Sequence, residues 1–225
     1  MFELNSDLDI KIARVADTSE SSFGWPSEVK NHCTVVVVDN FYKNPKQVSD
    51  YLFNRDVPLW KAEQKPSFNT VHFNDRRLIE RDLRLIHVYE FLSKLCKQRY
   101  PNCDIYTNMT KFFDYGFNDY NNCFWWPHID GGYNGIVYLN KDEEDSGTNL
   151  YDPKVLNSFE WSYSMSMPEQ YLCWRPKEKY SVVKSFKSRY NSLCLFDGSK
   201  FPHGMNITND TFLSQYRCNQ VFFFR

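Results

Sequence analysis

Three side chains in this sequence have the types and the spacing of a metal-binding set. His128 and Asp130 are separated by one residue, and alternation along a strand turns residues i and i+2 to the same side. His203 follows a predicted strand at 192–196 and a turn, so we expect it where a strand ends at a rim. Two histidines and one carboxylate on one face of an octahedron leave positions open for a chelating co-substrate and dioxygen. The sequence therefore predicts a metal centre with His128, Asp130 and His203 as ligands.

The other histidines are expected to have ordinary structural positions. The chain has five histidines, and His32, His72 and His87 lie in its N-terminal part, where we expect solvated loop or helix positions. An H-x-D pair also arises by chance, and zinc hydrolases can use the same donor set. The three candidate ligands alone therefore leave iron and zinc chemistry open.

Arg217 begins a predicted last strand at 217–224, downstream of His203. The later positions of this strand are heavily apolar, and a cation that enters a barrel interior requires an anion. A guanidinium presents a planar fork that matches a carboxylate, so Arg217 can hold the far carboxylate of a dicarboxylic acid whose other end chelates the metal. An arginine that reaches solvent from the strand end is the alternative. Zinc hydrolases have no general need for this arginine, so the combination favours iron.

With these residues the sequence resembles the iron(II)- and 2-oxoglutarate-dependent dioxygenases, and their prolyl-hydroxylase-like branch in particular. The resemblance covers roughly residues 105–225, and the order and spacing of several short motifs carry it. In chain order these are PHID at 127–130, IVYLNKD at 136–142, SGT at 146–148, the strand and turn before His203, and Arg217.

The resemblance implies a cofactor set and a reaction. Fe(II) would be held by the three ligands, 2-oxoglutarate would chelate it through its 1-carboxylate and 2-oxo group, and dioxygen would be the oxidant. In this branch the tyrosine of a Y-L-N segment reaches the same distal carboxylate as the arginine, which implies that role for Tyr138. Relatives that halogenate carry a small residue in place of Asp130, so hydroxylation, or demethylation through it, is implied here.

The resemblance also implies a fold, which is mainly β with some α: a double-stranded β-helix, or jelly roll, with supporting N-terminal helices. Short aromatic or β-branched runs separated by turn residues point the same way, and aromatic residues make up 18% of the chain. The predicted strands are 105–113, 134–139, 147–151, 181–187, 192–196 and 217–224.

Residues 1–103 are expected to support this core within a single oxygenase domain, 1–225. A β-branched run predicts a buried strand at 34–38, and an Asn-Pro pair predicts a short helix over 46–53. Apolar residues at intervals of four, three and four predict an amphipathic helix over 76–99 that packs on a sheet.

Two departures from the branch concern the co-substrate site. The gap between His203 and Arg217 is longer than is common, so Arg217 can be displaced, and Arg189 or Arg225 would then be the next candidates. The strand before the H-x-D pair, residues 109–113, has phenylalanine where relatives often place a polar residue near the 2-oxoglutarate.

Residues 152–180 are interpreted as an insertion in the core, 104–225, because they show no clean periodicity and are too long for an ordinary connection. We expect this segment, with the loop 114–124, to form the mouth of the pocket and to select the substrate. It interleaves aromatic and methionine side chains with basic ones, a mixture that can hold a peptide, a nucleobase or an acidic small molecule. Packing of these aromatics on the outside of the barrel is the alternative.

The composition of the chain limits which kinds of substrate, location and membrane contact we expect. The formal charge is -1, with 27 basic and 28 acidic residues, so a peptide, protein or amino-acid-like substrate ranks above nucleic acid. Seven cysteines without a C-x-x-C pair argue against a disulfide framework and a structural zinc site, which favours a reducing, cytoplasmic location. No apolar run approaches the length of a membrane span, so no membrane partner is expected.

Three function classes remain distinct on the sequence. The first is an iron(II)- and 2-oxoglutarate-dependent oxygenase. Its predicted substrate is a peptide, protein or amino-acid-like molecule, and the alternative is a nucleic acid or another small molecule. The second is a non-catalytic jelly-roll binding module with a vestigial metal site, which predicts failure to bind 2-oxoglutarate. The third is a zinc hydrolase, which predicts activity with zinc and indifference to oxygen.

Overall fold

The structure is a computed structural model that describes residues 1–16, 32–58, 73–80, 82–96, 103–112, 120–141, 144–152 and 174–224. Within these ranges the chain forms twelve strands and three α-helices. The strands are β1 (Asp9–Ala16), β2 (His32–Asp39), β3 (Phe73–Ile79), β4 (Cys103–Phe112), β5 (Cys123–His128), β6 (Tyr133–Tyr138), β7 (Thr148–Tyr151), β8 (Trp174–Pro176), β9 (Val182–Phe186), β10 (Ser192–Asp197), β11 (His203–Met205) and β12 (Arg217–Phe224). The helices are α1 (Pro45–Phe53), α2 (Ile86–Cys96) and α3 (Thr211–Ser214).

The strands form two antiparallel sheets. The seven-stranded sheet has the order β1-β2-β10-β6-β12-β4-β3, and the five-stranded sheet has the order β8-β5-β11-β7-β9. From β4 to β7, and again from β9 to β12, the chain passes to the other sheet at each strand. This winding of eight strands over two facing sheets is a jelly roll, which confirms the predicted fold class.

The sequence located the strands of this core well where side-chain alternation or β-branched runs were strong. All six predicted core strands occur, within two residues at each end, as do the strand at 34–38 and the short helix after Pro45. The short strands β8 and β11 were not predicted, because three residues give no period.

The N-terminal helices cover the outer face of the seven-stranded sheet. Val48 and Leu52 on α1, and Val88 and Leu92 on α2, lie four residues apart and are fully buried. They pack against apolar side chains from the middle of the sheet, including Phe222. The largest cluster of buried residues therefore lies outside the jelly roll, between the sheet and the helices.

The prediction of one helix over 76–99 is wrong in its first part. Residues Phe73–Ile79 form edge strand β3, which pairs along its whole length with β4. A short 3-10 turn then leads into α2, and the Asp82 carboxylate accepts the Arg84 backbone N–H at its start, 2.9 Å away. Pairing with a neighbouring strand has overridden a local helical period.

The predicted mouth of the pocket lies largely outside the described residues. Residues 113–119 and 153–173 are not described, so the loop 114–124 and the insertion 152–180 are seen only at their ends. Those ends are strands: Cys123 and Phe124 belong to β5, and Trp174–Pro176 form β8, which pairs with β5. The loop prediction is therefore wrong for Cys123 and Phe124, which belong to a strand, whereas the described end of the segment 152–180 adds edge strand β8 to the five-stranded sheet.

Candidate metal centre

The three predicted ligands converge at one end of the five-stranded sheet. His128 is the last residue of β5, His203 is the first residue of β11, and the two are directly opposite each other in the strand register. Their ring centroids are 4.5 Å apart. Asp130 Oδ2 lies 3.2 Å from His203 Nε2 and 3.6 Å from His128 Nε2, and the candidate ligand atoms of all three residues lie within 4.8 Å of one another.

Asp130 reaches this point by a different route from the one that alternation predicts. β5 ends at His128, so Asp130 lies in the loop that follows rather than on the strand. The Asp130 backbone N–H donates to Gly198 O at 3.2 Å, and the Gly198 N–H donates to Gly132 O at 2.8 Å. Gly132 has a φ of 85°, which favours glycine, and lets the chain turn back into β6. Two hydrogen-bonded loops, rather than a strand, therefore place the carboxylate.

Backbone carbonyls fix the orientation of both imidazoles. His128 Nδ1 lies 2.8 Å from Trp126 O, and His203 Nδ1 lies 2.9 Å from Phe201 O. A carbonyl oxygen can only accept, so each Nδ1 carries the proton and donates it. In the neutral form of each ring, the lone pair is then on Nε2, on the side that faces Asp130. This is the arrangement that supports histidine as a metal ligand.

Asn134 is a residue of the centre that sequence analysis missed. Its Nδ2 donates to Asp130 Oδ2 at 2.7 Å and lies 3.1 Å from His203 Nε2. A Cβ on Gly198 would lie 2.7 Å from this Nδ2, so glycine at that position leaves room for the amide. The signal was available, because Asn134 precedes Ile136 and Tyr138 at a period of two along β6.

The charges of the centre are those that a cation requires. Burial raises the pKa of the Asp130 carboxyl, but hydrogen bonds and charge from His128 and His203 outweigh burial and hold that pKa far below its usual range. The pKa of His203 is lowered, chiefly by burial and then by the charge of His128. Burial also lowers the pKa of His128, yet Asp130 raises it above its ordinary value. Two imidazole nitrogens and one carboxylate fit a divalent first-row ion that keeps coordination positions open.

A cavity of about 360 Å³ opens beside the ligands, between the two sheets. The seven-stranded sheet contributes polar side chains on strands β3, β4 and β12, while the five-stranded sheet contributes the indoles of Trp125 and Trp126. The polar lining residues besides the centre are Arg77, Asn108, Thr110, Thr148, Arg217 and Asn219. Among these six residues, the sequence predicted a role only for Arg217.

Arg217 lies in this cavity wall and is 6% exposed. It is the first residue of β12, opposite Thr110 of β4, and its Nη2 donates to Gly147 O at 3.2 Å. Helix α3 occupies part of the long stretch between His203 and Arg217. The guanidinium therefore stays inside the barrel and does not reach solvent.

Tyr138 lies beneath Arg217, at the end of β6. The guanidinium carbon is 5.6 Å from the centre of the Tyr138 ring, and the Tyr138 hydroxyl is 2.6 Å from Thr148 Oγ1. Burial raises the pKa of Tyr138, so its hydroxyl remains protonated at neutral pH. Thr148 lines the cavity, and this hydrogen bond joins the Tyr138 hydroxyl to it.

The other histidines and the alternative arginine lie elsewhere where they are described. His87 is exposed on α2, and the side chains of His32 and His72 are outside the described residues. Arg189 lies on the surface, 3.4 Å from Asp39, and Arg225 is outside the described residues. Arg189 is therefore excluded as a replacement for Arg217 in the cavity.

Comparison with known proteins gives structural likenesses only. No known family profile matches the sequence, and no curated protein sequence matches it. Among solved structures, a prolyl-4-hydroxylase from Pseudomonas putida is 10% identical, with 95% of this chain and 92% of that chain covered and a TM-score of 0.48. HygX from Streptomyces hygroscopicus, solved with nickel and 2-oxoglutarate bound, is 13% identical, with coverages of 84% and 81% and a TM-score of 0.44.

A third structure is the Fe(II)/α-ketoglutarate-dependent dioxygenase TqaL, which is 9% identical, with coverages of 80% and 73% and a TM-score of 0.38. Because these sequence identities and TM-scores are low, a function can be assigned only from the residues of this chain. Separately, no described helix has the length and apolar character that crossing a membrane requires.

Proposed function

We propose that this protein is an iron(II)- and 2-oxoglutarate-dependent oxygenase that hydroxylates its substrate. His128, Asp130 and His203 would hold Fe(II), and Arg217 with Tyr138 would hold the distal carboxylate of 2-oxoglutarate. One observation carries the proposal: a two-histidine, one-carboxylate set with both Nε2 lone pairs directed inward borders a cavity that also contains a buried arginine.

The bound iron would supply the activation of dioxygen, coupled to the conversion of 2-oxoglutarate into succinate and carbon dioxide while one oxygen atom enters a substrate C–H bond. The chain contributes position, charge and exclusion of water. Asn134 holds the Asp130 carboxylate by its Nδ2, and the Trp126 and Phe201 carbonyls hold the two imidazoles. These contacts orient the three ligands towards one point.

Arg217 and Tyr138 support the choice of a dicarboxylate co-substrate. A buried guanidinium matches a carboxylate with two parallel hydrogen bonds, which a lysine or a neutral side chain does not do. The Tyr138 ring beneath it and the Gly147 carbonyl beside it limit how the guanidinium can turn. A co-substrate anchored there at one end can present its other end to the metal.

For the primary substrate we propose a peptide, protein or amino-acid-like molecule, with the segments 114–124 and 152–180 at the entrance. Residues on either side of the first segment pack with one from the second, since the Trp125 and Trp174 rings are 5.0 Å apart and the Phe112 and Trp125 rings are 4.6 Å apart. This aromatic cluster lies beside the cavity, which Trp125 and Trp126 line.

The decisive experiment measures succinate formed from 2-oxoglutarate by the iron-loaded protein, with and without oxygen. We expect oxygen-dependent succinate even without a substrate, at a low rate. A protein that does not bind 2-oxoglutarate would instead be a binding module. Hydrolysis supported by zinc and unaffected by oxygen would identify the hydrolase.

The entrance is tested by replacing residues 161–172 with a short Gly/Ser linker, which leaves β8 in place. We expect substrate-independent succinate formation to survive and substrate-coupled hydroxylation to fall. If an identified substrate were hydroxylated at an unchanged rate, the segment would serve packing rather than selection.

A further inference from the structure

A row of three polar residues crosses the inner face of the seven-stranded sheet. Arg77 of β3 is opposite Asn108 of β4, and Asn108 is opposite Asn219 of β12. Directly opposed residues on neighbouring strands have Cβ atoms roughly 5 Å apart and point to the same side of the sheet. All three line the cavity that borders the metal centre. We refer to Arg77, Asn108 and Asn219 as the polar row.

The side-chain oxygens of the two asparagines have no hydrogen-bond partner within the described part of the protein. Asn219 is 3% exposed, and its Oδ1 is buried with no hydrogen-bond partner among the described residues. Asn108 Oδ1 is in the same state. Buried amide oxygens without partners cost free energy, and the interior positions of a strand ordinarily carry apolar side chains. Two adjacent amides of this kind indicate that a ligand with hydrogen-bonding groups completes them.

Arg77 gives the row its charge. Its guanidinium carbon lies 5.6 Å from the centre of the Tyr106 ring, which leaves the planar group against an aromatic face while it lines the cavity. Among the described residues that line this cavity, Arg77 and Arg217 are the basic ones and Asp130 is the acidic one. Asp130 is engaged with the two histidines, so the lining favours anions.

The two arginines occupy different places in the cavity. Arg217 is at the start of the central strand β12, beside Tyr138, whereas Arg77 is on edge strand β3, two strands away. Because the first is assigned to 2-oxoglutarate under the proposed function, a second anion in the cavity would meet Arg77. The cavity, at about 360 Å³, is near the lower end of ligand pockets, which span roughly 300–1,000 Å³, and it must also hold the co-substrate.

We propose that the polar row binds the primary substrate, and that this substrate is a small free acid of the amino-acid type. Its carboxylate would pair with Arg77, and its ammonium or hydroxyl groups would donate to Asn108 and Asn219. An internal residue of a polypeptide has no carboxylate at this position, so the row selects against it. This inference rests on the proposed function and narrows the substrate class given there.

The first test measures binding without turnover. Protein loaded with zinc(II) and 2-oxoglutarate is mixed with the twenty standard L-amino acids, or with the same set as N-acetyl amides, and binding is detected by saturation-transfer NMR. We expect one or a few free acids to bind and the N-acetyl amides not to bind. Binding of the amides as well as the free acids, or binding of neither set, would overturn the inference.

The second test uses variants and separates this inference from the proposed function. In Arg77→Gln we expect the bound acid to lose affinity on the order of tenfold to a hundredfold, the loss of a hydrogen bond to a charged group. Arg77→Lys should recover part of it. The matched control is Arg189→Gln, which removes an exposed arginine outside the cavity and should leave binding unchanged.

In Arg77→Gln the affinity for the acid should fall by a larger factor than the 2-oxoglutarate requirement of substrate-free succinate formation rises, whereas Arg189→Gln should leave both unchanged. If that requirement rose as it is expected to in Arg217→Ala, the row would belong to the co-substrate site and the inference would be wrong. Loss of succinate formation in every protein, including the unmodified chain, would instead reject the proposed function itself.

Discussion

The two faces of the seven-stranded sheet are built differently although they share the same strands. The outer face, towards α1 and α2, is filled with almost fully buried apolar side chains such as Val137, Leu195 and Phe222. The inner face carries Asn219 and Arg217 on the same strand as Phe222 and leaves a cavity beside them. Strand β12 therefore contributes packing on one side and binding groups on the other. Stability and chemistry can be changed separately by choosing odd or even positions along it.

The largest expected effect is on the inner side, at the metal ligands. His128→Ala, Asp130→Ala and His203→Ala should each abolish oxygen-dependent succinate formation and weaken iron binding, because two ligands cannot maintain the facial geometry. Succinate and bound iron are measured on the same samples. The matched control is His87→Ala, which removes an exposed histidine on α2 and should change neither quantity. Full turnover in any of the three variants would remove that residue from the ligand set.

The second effect is on the outer side. Phe222→Ala should lower the free energy of unfolding by about 3–5 kcal/mol, because it removes a fully buried ring and leaves a cavity beneath the helices. Asn219→Ala, three residues earlier and on the inner face, should lower it far less. Urea unfolding of the two variants, both without metal, gives the two free energies of unfolding to be compared. Equal destabilisation would show that the two faces share the packing.

The third effect concerns Arg217. Arg217→Ala should weaken 2-oxoglutarate binding by about 2–5 kcal/mol, since it removes a charged partner in a closed pocket, and should weaken iron binding much less. Tyr138→Phe should have a smaller effect in the same direction. We measure succinate formation at increasing 2-oxoglutarate concentration and iron binding on the same variants. The two measurements separate an effect on co-substrate binding from an effect on iron binding. An unchanged 2-oxoglutarate requirement in Arg217→Ala would place the carboxylate partner elsewhere.

The smallest effect is expected at Asn134, which supports a ligand without being one. Asn134→Ala should lower metal affinity by about 10–100-fold, as is usual when an outer hydrogen bond to a metal ligand is lost. The conservative Asn134→Asp variant loses the amide donor and adds a charge next to Asp130, so it tests the donor role. Metal competition titrations give both values. Unchanged affinity in Asn134→Ala would mean that the loop alone positions Asp130.

The sequence was most informative where a physical period or a rare residue type limited the possibilities. Histidine is scarce in the chain, so His128 and His203 could be singled out, and β-branched alternation located the long strands. Asn134 and Asn108 were missed because asparagine is common at turns and ends of strands. The period of two along β6 places Asn134 on the face of Ile136, whereas the pairing of β4 with β12 is needed to place Asn108 in the cavity wall. The edge strand β3 was missed because its pairing partner lies far along the chain, beyond the reach of a local pattern.

The direct opposition of His128 and His203 across β5 and β11 has a consequence for the lifetime of the protein. Asp130 and His203 are 73 positions apart in the chain, so an ion held between them acts as a reversible cross-link that closes a long loop. A metal cross-link of this kind stabilises the folded chain by a free energy that grows with the logarithm of the free metal concentration. Chelation should therefore let β11 separate from β5 more often and expose that edge to proteases. Metal supply would then set how long the protein persists as well as whether it turns over, and limited proteolysis with and without a chelator measures this directly.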